Sequence, residues 1–208
     1  LHLSLRRQRQ MCIRDRLIPV IVIVAVIAIG FFWVMGIKNG AIGKTQGVSK
    51  EWGNVETAYQ RRNDLIGNLV ETVKGAANFE KSTLVEVIEA RSKATSVQVD
   101  PSNATPEQLA AFSSAQANLM GSVNKLIGNV TVEKYPELKS NQNFLKLQDE
   151  LASTENTIQT QRTRYNEVVQ DYNNYVLKFP NSMFLGDYKE KPYFKAVEGA
   201  EKPVQVKF

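Results

Sequence analysis

The sequence predicts an all-α protein in which an N-terminal transmembrane helix precedes an elongated, antiparallel, up-and-down bundle of three to four helices. Two observations carry this prediction. The run Leu17–Ile37 contains no charged residue. In the chain that follows, apolar residues recur at alternating spacings of three and four, which places them on one face of a helix. No β-strand alternation competes with that pattern.

Leu17–Ile37 is the predicted transmembrane helix, because about 20 apolar residues are enough to cross the hydrocarbon core of a bilayer. Pro19 lies in the first turn, where its missing N–H costs little. Trp33 lies toward the far end, and tryptophan favours the headgroup level. Two alternatives remain open. A core helix this uniformly apolar needs a large protein around it, and the apolar region of a cleaved signal peptide is normally shorter.

Residues 1–16 are predicted to be non-native. Residues 10–16 read QMCIRDR, and all seven agree with one reading frame of a common transposon-type sequencing adapter. The alternative is a genuine basic segment. Cys12 and His2 are the only Cys and His of the chain, so the sequence from Leu17 onward offers no thiol or imidazole. Disulfides, Cys/His zinc sites and His-dependent triads are therefore not expected there.

The net charge of +5 comes mostly from the same segment, which carries five arginines and one aspartate. The rest of the chain carries 21 basic and 20 acidic residues and is nearly neutral. A basic patch is the footprint that nucleic-acid binding requires. The sequence therefore predicts no nucleic-acid partner.

Residues 38–47 are predicted to form a juxtamembrane joint, or a continuation of the spanning helix, and residues 48–180 to form the bundle. The first bundle helix presents an apolar face that includes one charged residue in phase, Arg62: Val48, Trp52, Val55, Tyr59, Arg62, Ile66, Leu69 and Val73. The register weakens after Val73. We therefore expect a turn between Gly75 and Ser82 and a second helix that ends near Ala94.

Thr105, Pro106 and Gln108 predict the start of the next helix, with an N-cap, a first-turn proline and a capping box. We expect that helix to end at Tyr135-Pro136. Ser140 or Asn141 can cap the last helix, which Pro180 ends. Its predicted face contains Phe144, Leu147, Leu151, Thr154, Ile158, Gln161, Tyr165, Val168, Tyr172, Tyr175 and Phe179. Residues 181–208 are predicted to be an irregular tail that lies partly against the bundle and is partly mobile.

Two motifs carry a resemblance to a known family. Ala58–Lys74 reads AYQRRNDLIGNLVETVK and follows Trp52, and Tyr165–Asn173 reads YNEVVQDYN. Behind an N-terminal span, this combination resembles the LemA family of bacterial single-pass membrane proteins. The resemblance implies an antiparallel helical bundle on a membrane anchor and implies no enzyme activity. The chain has Gly67 where the family usually has Pro, and Gly costs less than Pro inside a helix.

The residues that match the family motifs form a possible interaction patch: Trp52, Gln60, Arg61, Arg62, Asp64, Asn68, Tyr165, Asn166, Asp171, Tyr172 and Asn173. Arg62 lies in phase with the apolar face and needs a carboxylate or carbonyl partner. It either forms an ion pair that fixes helix register or belongs to a recognition patch. The tyrosines at 165, 172 and 175 either belong to the core or form a ligand surface.

Carboxylates occur along the predicted helices, but a di-metal bundle site also uses a Glu-x-x-His pair. The sequence therefore predicts no catalytic residue, no metal, no cofactor and no small-molecule substrate.

The predicted function is a non-enzymatic scaffold or adaptor for an envelope protein or for other copies of the chain. The alternatives are a membrane-tethered hydrolase that uses Ser/Lys or carboxylates, and a regulator of a membrane protease or stress sensor. The predicted location is the bacterial cytoplasmic (inner) membrane, with a single pass and the bundle on the non-cytoplasmic side.

Overall fold

The structure is a computed structural model that describes residues 2–75, 79–131 and 133–195, with side chains from residue 17 onward. The described residues contain no β-strand. The helices are α1 (His2–Lys74), α2 (Lys81–Ser96), α3 (Pro106–Asn129), α4 (Pro136–Lys139) and α5 (Gln142–Leu177), followed by a 3₁₀ turn (Asn181–Met183). The predicted fold class is confirmed: a long N-terminal apolar helix is followed by a helical bundle.

The chain divides into two compact units. The span unit comprises Leu1–Gly43 and Tyr175–Lys189, and the bundle unit comprises Lys44–Asn174 and Glu190–Phe208. Both α1 and α5 contribute residues to each unit.

Among the described helices, α1 is the one that is long and apolar enough to cross a membrane, and its apolar part lies in the span unit. Its most apolar window has a mean hydropathy of 3.0, and none of it is buried. α1 continues as helix through residues 38–47, the predicted joint. Gly40 allows the phenol of Tyr175 to pack closely against α1, because a Cβ at position 40 would overlap that ring. The Tyr175 hydroxyl donates to the Ile37 carbonyl oxygen at 3.1 Å.

In the bundle unit, neighbouring helices run antiparallel. Lys44, the first α1 residue of the bundle unit, contacts a residue late in α5, since its Nζ lies 3.0 Å from Asp171 Oδ2, whereas Arg62, further along α1, pairs with Glu155, earlier in α5. Residues late in α3 likewise contact residues early in α2, since Lys125 Nζ lies 2.6 Å from Glu86 Oε2. The described parts of these helices enclose an apolar core with side chains from α1 to α5, including Ile66, Leu69, Val87, Leu119, Leu126, Leu138, Phe144 and Leu151.

The helix boundaries confirm part of the sequence prediction. α1 ends at Lys74 and α2 begins at Lys81, so the helix is interrupted where a turn was expected, although residues 76–78 of that interval lie outside the described residues. The capping box at the start of α3 is present, because Gln108 N donates to Thr105 Oγ1 at 3.2 Å and Thr105 N donates to Gln108 Oε1 at 3.1 Å. Asn141 caps α5, since its Oδ1 accepts from the backbone N–H of Phe144 at 3.2 Å.

Two expectations about helix faces and ends were wrong. α3 ends at Asn129, several residues before Tyr135-Pro136, and Pro136 instead begins the short helix α4. Proline suits that first turn because it lacks only an N–H that no helical carbonyl would accept. The predicted face of α5 was also too long, because Phe179 is 79% exposed. An α-helix drifts about 20° per heptad relative to a 3.5-residue repeat, and the buried face therefore passes to Val169 and Val176.

Candidate interaction site

Arg62 is the most deeply buried charged side chain in the first motif, with 2% of its surface exposed. Its Nη1 donates to Glu155 Oε2 on α5 at 3.0 Å, and its Nη2 donates to Gln116 Oε1 on α3. Gln116 in turn donates from Nε2 to the Ala94 carbonyl oxygen at 3.2 Å. The guanidinium also lies 4.8 Å from the ring centroid of Tyr59. Arg62 therefore joins α1, α3 and α5 through one polar network inside the bundle.

Trp52 lies at the centre of an aromatic cluster on α1, ten residues before Arg62, or almost three helical turns. Its ring stacks on Phe194 at a centroid distance of 5.8 Å and meets Tyr165 at 5.5 Å and Phe112 at 5.7 Å. Aromatic pairs at such distances stabilise beyond the area they bury. Phe194 belongs to the tail, so the cluster attaches the described part of the tail to α1, α3 and α5.

Two asparagines of the second motif hold the tail backbone. Asn166 donates from Nδ2 to the Phe194 carbonyl oxygen and accepts at Oδ1 from the Phe194 N–H, both at 2.9 Å. Asn173 makes the same pair of hydrogen bonds to the N–H and carbonyl of Lys191, both at 2.9 Å. Each side-chain amide thus satisfies both polar groups of one tail residue, as a neighbouring strand would.

The spacing of these asparagines matches the spacing of the tail residues they hold. Asn166 and Asn173 are seven residues apart, which is about 10.5 Å along a helix. Lys191 and Phe194 are three residues apart, which is about 10 Å in extended chain. The earlier tail residue pairs with the later asparagine, so the tail runs antiparallel to α5. The second motif therefore has a structural role that the sequence prediction did not include.

Lys191 ties the same tail to the linker between α2 and α3. Its Nζ donates to the carbonyl oxygens of Pro101 and Ser102 at 2.6 and 3.1 Å and lies 5.3 Å from the ring centroid of Tyr172. Burial lowers the pKa of this ammonium below its ordinary value, although the nearby Asp100 carboxylate opposes that shift. The tail is thus held to α5 by amides and to the linker by a cation.

An open groove of about 580 Å³ lies on the bundle unit beside the first motif. Its α1 wall carries Trp52, Glu56, Tyr59, Gln60, Arg61, Asn63 and Asp64. The remainder is lined by Thr57 of α1, by residues 94, 95 and 97–99 around the end of α2, and by Phe112 and Gln116 of α3. Backbone φ and ψ at Val97 are extended, so the groove has a helical wall on one side and a non-helical one on the other.

The groove unites four of the predicted patch residues, namely Trp52, Gln60, Arg61 and Asp64. Gln60 donates from Nε2 to Asp64 Oδ1 at 3.0 Å, one turn further along α1, and both side chains are exposed. Arg61 is also exposed.

The other patch residues lie elsewhere. Arg62, Tyr165, Tyr172 and Asn173 are buried, and Asn166 is half-buried. Asn68 is exposed but does not line the groove. Asp171 is exposed and pairs with Lys44. The predicted patch residues therefore do not form one surface: four line the groove, five pack in the bundle or bind the tail, and Asn68 and Asp171 are exposed elsewhere.

Two side chains on the groove wall have buried polar atoms with no hydrogen-bond partner in the described part of the chain. They are Nε1 of Trp52, a donor, and Oδ1 of Asn63, an acceptor. Asn63 lies inside the first motif but was not among the predicted patch residues. Nothing in its identity distinguishes it from Asn68, which lies away from the groove.

Burial also changes the acidity of two tyrosines beside this region. It raises the pKa of Tyr165 to about 12, and the hydroxyl of Tyr165 has no partner among the described residues. Burial likewise raises the pKa of Tyr59, against the opposing effect of the guanidinium groups of Arg162 and Arg62. Both phenols are therefore neutral at physiological pH and act as packing groups.

The fold and the site together define a class: a helical-bundle protein with a candidate membrane span and a motif-lined groove. The LemA family model matches residues 51–208. The chain belongs to the LemA family, as the two motifs indicated.

Named relatives are distant in sequence. Protein LemA of Metamycoplasma hominis is 24% identical over 155 residues, which cover 74% of this chain and 65% of that protein. Magnetosome proteins MamQ 1 and MamQ 2 of Paramagnetospirillum magneticum are each 24% identical over 192 residues, covering 80% of this chain and 67% of each relative. The chain thus spans about two thirds of the length of these relatives.

Proposed function

We propose that this protein is a membrane-anchored, non-enzymatic scaffold that binds an envelope protein, or another copy of itself, through the groove beside the first motif. The anchor is the Leu17–Ile37 segment of α1. The protein lies in the bacterial cytoplasmic membrane, with a single pass and the bundle on the non-cytoplasmic side.

The observation that carries this proposal is the division of the motif residues between two roles. Asn166, Asn173 and Tyr165 of the second motif are engaged with the tail and the aromatic cluster. Gln60 and Arg61 of the first motif are exposed on the wall of a groove. Exposed polar residues on a groove wall contribute little to folding, whereas they are well placed to contact a partner.

The exposed polar groups of the groove favour a protein partner, whereas Nε1 of Trp52 and Oδ1 of Asn63 are buried in its wall. Gln60 is exposed on the α1 wall, and its side-chain amide carries both donors and an acceptor. A peptide segment carries N–H and C=O groups at every residue and can pair with such an amide. Glu56 and Arg61 add one charge of each sign to the same wall.

Site-specific photocrosslinking in intact cells tests the groove. A photoreactive amino acid at Arg61 or Gln98, on opposite groove walls, is expected to crosslink one and the same partner. The matched control is Ser153, which is exposed on α5 and does not line the groove. A product whose mass is twice that of the chain identifies self-association. Equal crosslinking at all three positions, or none at Arg61 and Gln98, contradicts the proposal.

A thiol reporter tests the orientation. Ser153→Cys in a Cys12→Ser background places one thiol on the exposed surface of the bundle unit. The proposed orientation predicts labelling of intact cells by a membrane-impermeant maleimide, after permeabilisation of an outer membrane where the host has one. Protection until the inner membrane is lysed would place the bundle in the cytoplasm.

A further inference from the structure

The turn that follows α5 exposes an apolar patch in the span unit. Leu177 is 51% exposed, Phe179 79% and Met183 69%. We call residues 177–184 the C-terminal turn. Three large apolar side chains exposed within seven residues are unusual on a surface that faces only water, and such patches mark contacts with proteins or membranes.

The C-terminal turn is fixed to the far end of the candidate span. The ring of Phe184 meets the ring of Trp33 edge-on at a centroid distance of 5.8 Å. Within the turn, Asn181 donates from Nδ2 to the Tyr175 carbonyl oxygen at 3.0 Å, and the Tyr175 hydroxyl donates to the Ile37 carbonyl oxygen. Ring packing and hydrogen bonding thus hold the turn beside residues 33–37 of α1.

This attachment determines the depth at which the turn lies when the segment spans a bilayer. Trp33 is four residues before Ile37, which is about 6 Å along a helix. The span of 21 residues is about 31 Å long and matches a hydrocarbon core of about 30 Å. Trp33 therefore lies near the boundary between acyl chains and headgroups, and Phe184 lies at the same level.

Charge in the same region fits a lipid surface. Lys38 follows the span directly, and Lys178 lies within the C-terminal turn; both are exposed. Lysines just outside the hydrocarbon, beside aromatic residues at the boundary, are typical of membrane–water interfaces. A lipid surface therefore satisfies both the apolar side chains and the cations.

We propose that the C-terminal turn is a second membrane contact, in which Leu177, Phe179 and Met183 insert into the interfacial layer that receives the far end of the span. The occupant of this patch is the lipid bilayer itself. The inference rests on the proposed anchor function of Leu17–Ile37.

Spin-label accessibility in vesicles tests the proposal on the full chain. A nitroxide is attached to Met183→Cys in a Cys12→Ser background, in vesicles of phosphatidylcholine and phosphatidylglycerol. Collision rates with oxygen, which concentrates in lipid, and with a water-soluble nickel chelate are then compared. Ser153→Cys is the matched water-exposed control, and Val26→Cys is the reference for the middle of the span.

The expected result is a several-fold lower nickel collision rate at Met183→Cys than at Ser153→Cys, with a high oxygen rate. Adding Phe179→Asp, an exposed substitution that disturbs no packing, is expected to raise the nickel rate again. A nickel rate equal to that at Ser153→Cys overturns the inference. Low rates for both reagents also overturn it, because they show that protein covers the patch. If Val26→Cys is itself accessible to nickel, the anchor proposal fails, which separates that failure from failure of the turn.

Discussion

The network around Arg62 allows a quantitative test of how this bundle is held together. Arg62→Ala removes the donor to Gln116, a buried acceptor whose desolvation is then uncompensated at a cost of about 1–3 kcal/mol. It also removes the cation–π contact with Tyr59, which is worth about 1 kcal/mol. The Glu155 side chain is 48% exposed and can return to water, so that pair adds about 1 kcal/mol at most. We expect Arg62→Ala to lower the free energy of unfolding by about 3 kcal/mol.

The partners of Arg62 should respond unequally, because the guanidinium is buried and the carboxylate is not. Glu155→Ala leaves a cation with 2% exposure without its anion, but the carboxylate is half-exposed, so we expect a cost of about 1 kcal/mol. Glu155→Gln keeps an oxygen acceptor and is expected to cost less than Glu155→Ala. Arg62→Met fills the same volume without a charge and is expected to cost less than Arg62→Ala.

The assay is a double-mutant cycle on the full chain in detergent micelles, with unfolding by urea followed by circular dichroism. Arg62→Ala, Glu155→Ala and the double variant give the coupling energy between the two side chains, expected to be about 1 kcal/mol. If Arg62→Ala costs less than about 0.5 kcal/mol and the coupling energy is near zero, the network does not stabilise the bundle. The reasoning from burial would then be refuted.

Three further predictions address helix propensity, ionisation and capping. Gly67→Ala is expected to stabilise the protein by up to about 1 kcal/mol, because the added Cβ meets only the flexible guanidinium of Arg91 at 3.2 Å. The matched control is Gly121→Ala, whose added Cβ meets nothing within 4 Å. The urea midpoints of both variants check this prediction. The pKa of Tyr165 is near its ordinary value of 10 in the unfolded chain and about 12 in the folded chain. The stability that the neutral phenol contributes is therefore complete below pH 10 and is lost between pH 10 and 12. Tyr165→Phe should lose less stability over that interval, and an equal loss in both proteins would contradict this prediction. Thr105→Ala removes the cap of α3 and should lower the free energy of unfolding by about 1 kcal/mol in the same urea assay. An unchanged midpoint would show that the Gln108 N–H bonds to water instead.

The fold class followed from the sequence because helix periodicity is a local property. The apolar spacing from Val48 to Val73 identified the face of α1, and the burial of Arg62 within that face followed from its phase alone. The end of α3 did not follow from the sequence. α3 ends at Asn129, and the Val130 N–H donates to the Ile127 carbonyl oxygen in a tighter final turn. No residue type at this point of the sequence predicts that turn. The start of α3, by contrast, was predicted correctly, because the capping box and first-turn proline depend only on Thr105, Pro106 and Gln108.

The tail could be predicted only in outline. Aromatic residues at 184, 188, 193 and 194 suggested contact with the bundle, but the partners of Phe194 and Lys191 depend on register between segments far apart in sequence. The side-chain amides of Asn166 and Asn173 can bind any backbone presented at the correct spacing. Their sequence context therefore indicated polar surface as readily as a structural clamp, and only the fold distinguishes the two.

The division of the first motif also explains why its residues should behave differently under substitution. Arg61 and Arg62 are adjacent in the chain, yet about 100° of helix rotation separates them, so one faces the groove and the other the core. Loss of Arg62 should reduce stability and reduce partner binding only as far as the fold is lost. Loss of Arg61, an exposed side chain, should leave stability within about 0.5 kcal/mol and reduce crosslinking from Gln98. Measured on the same chain, this pair separates the structural part of the motif from the part available to a partner.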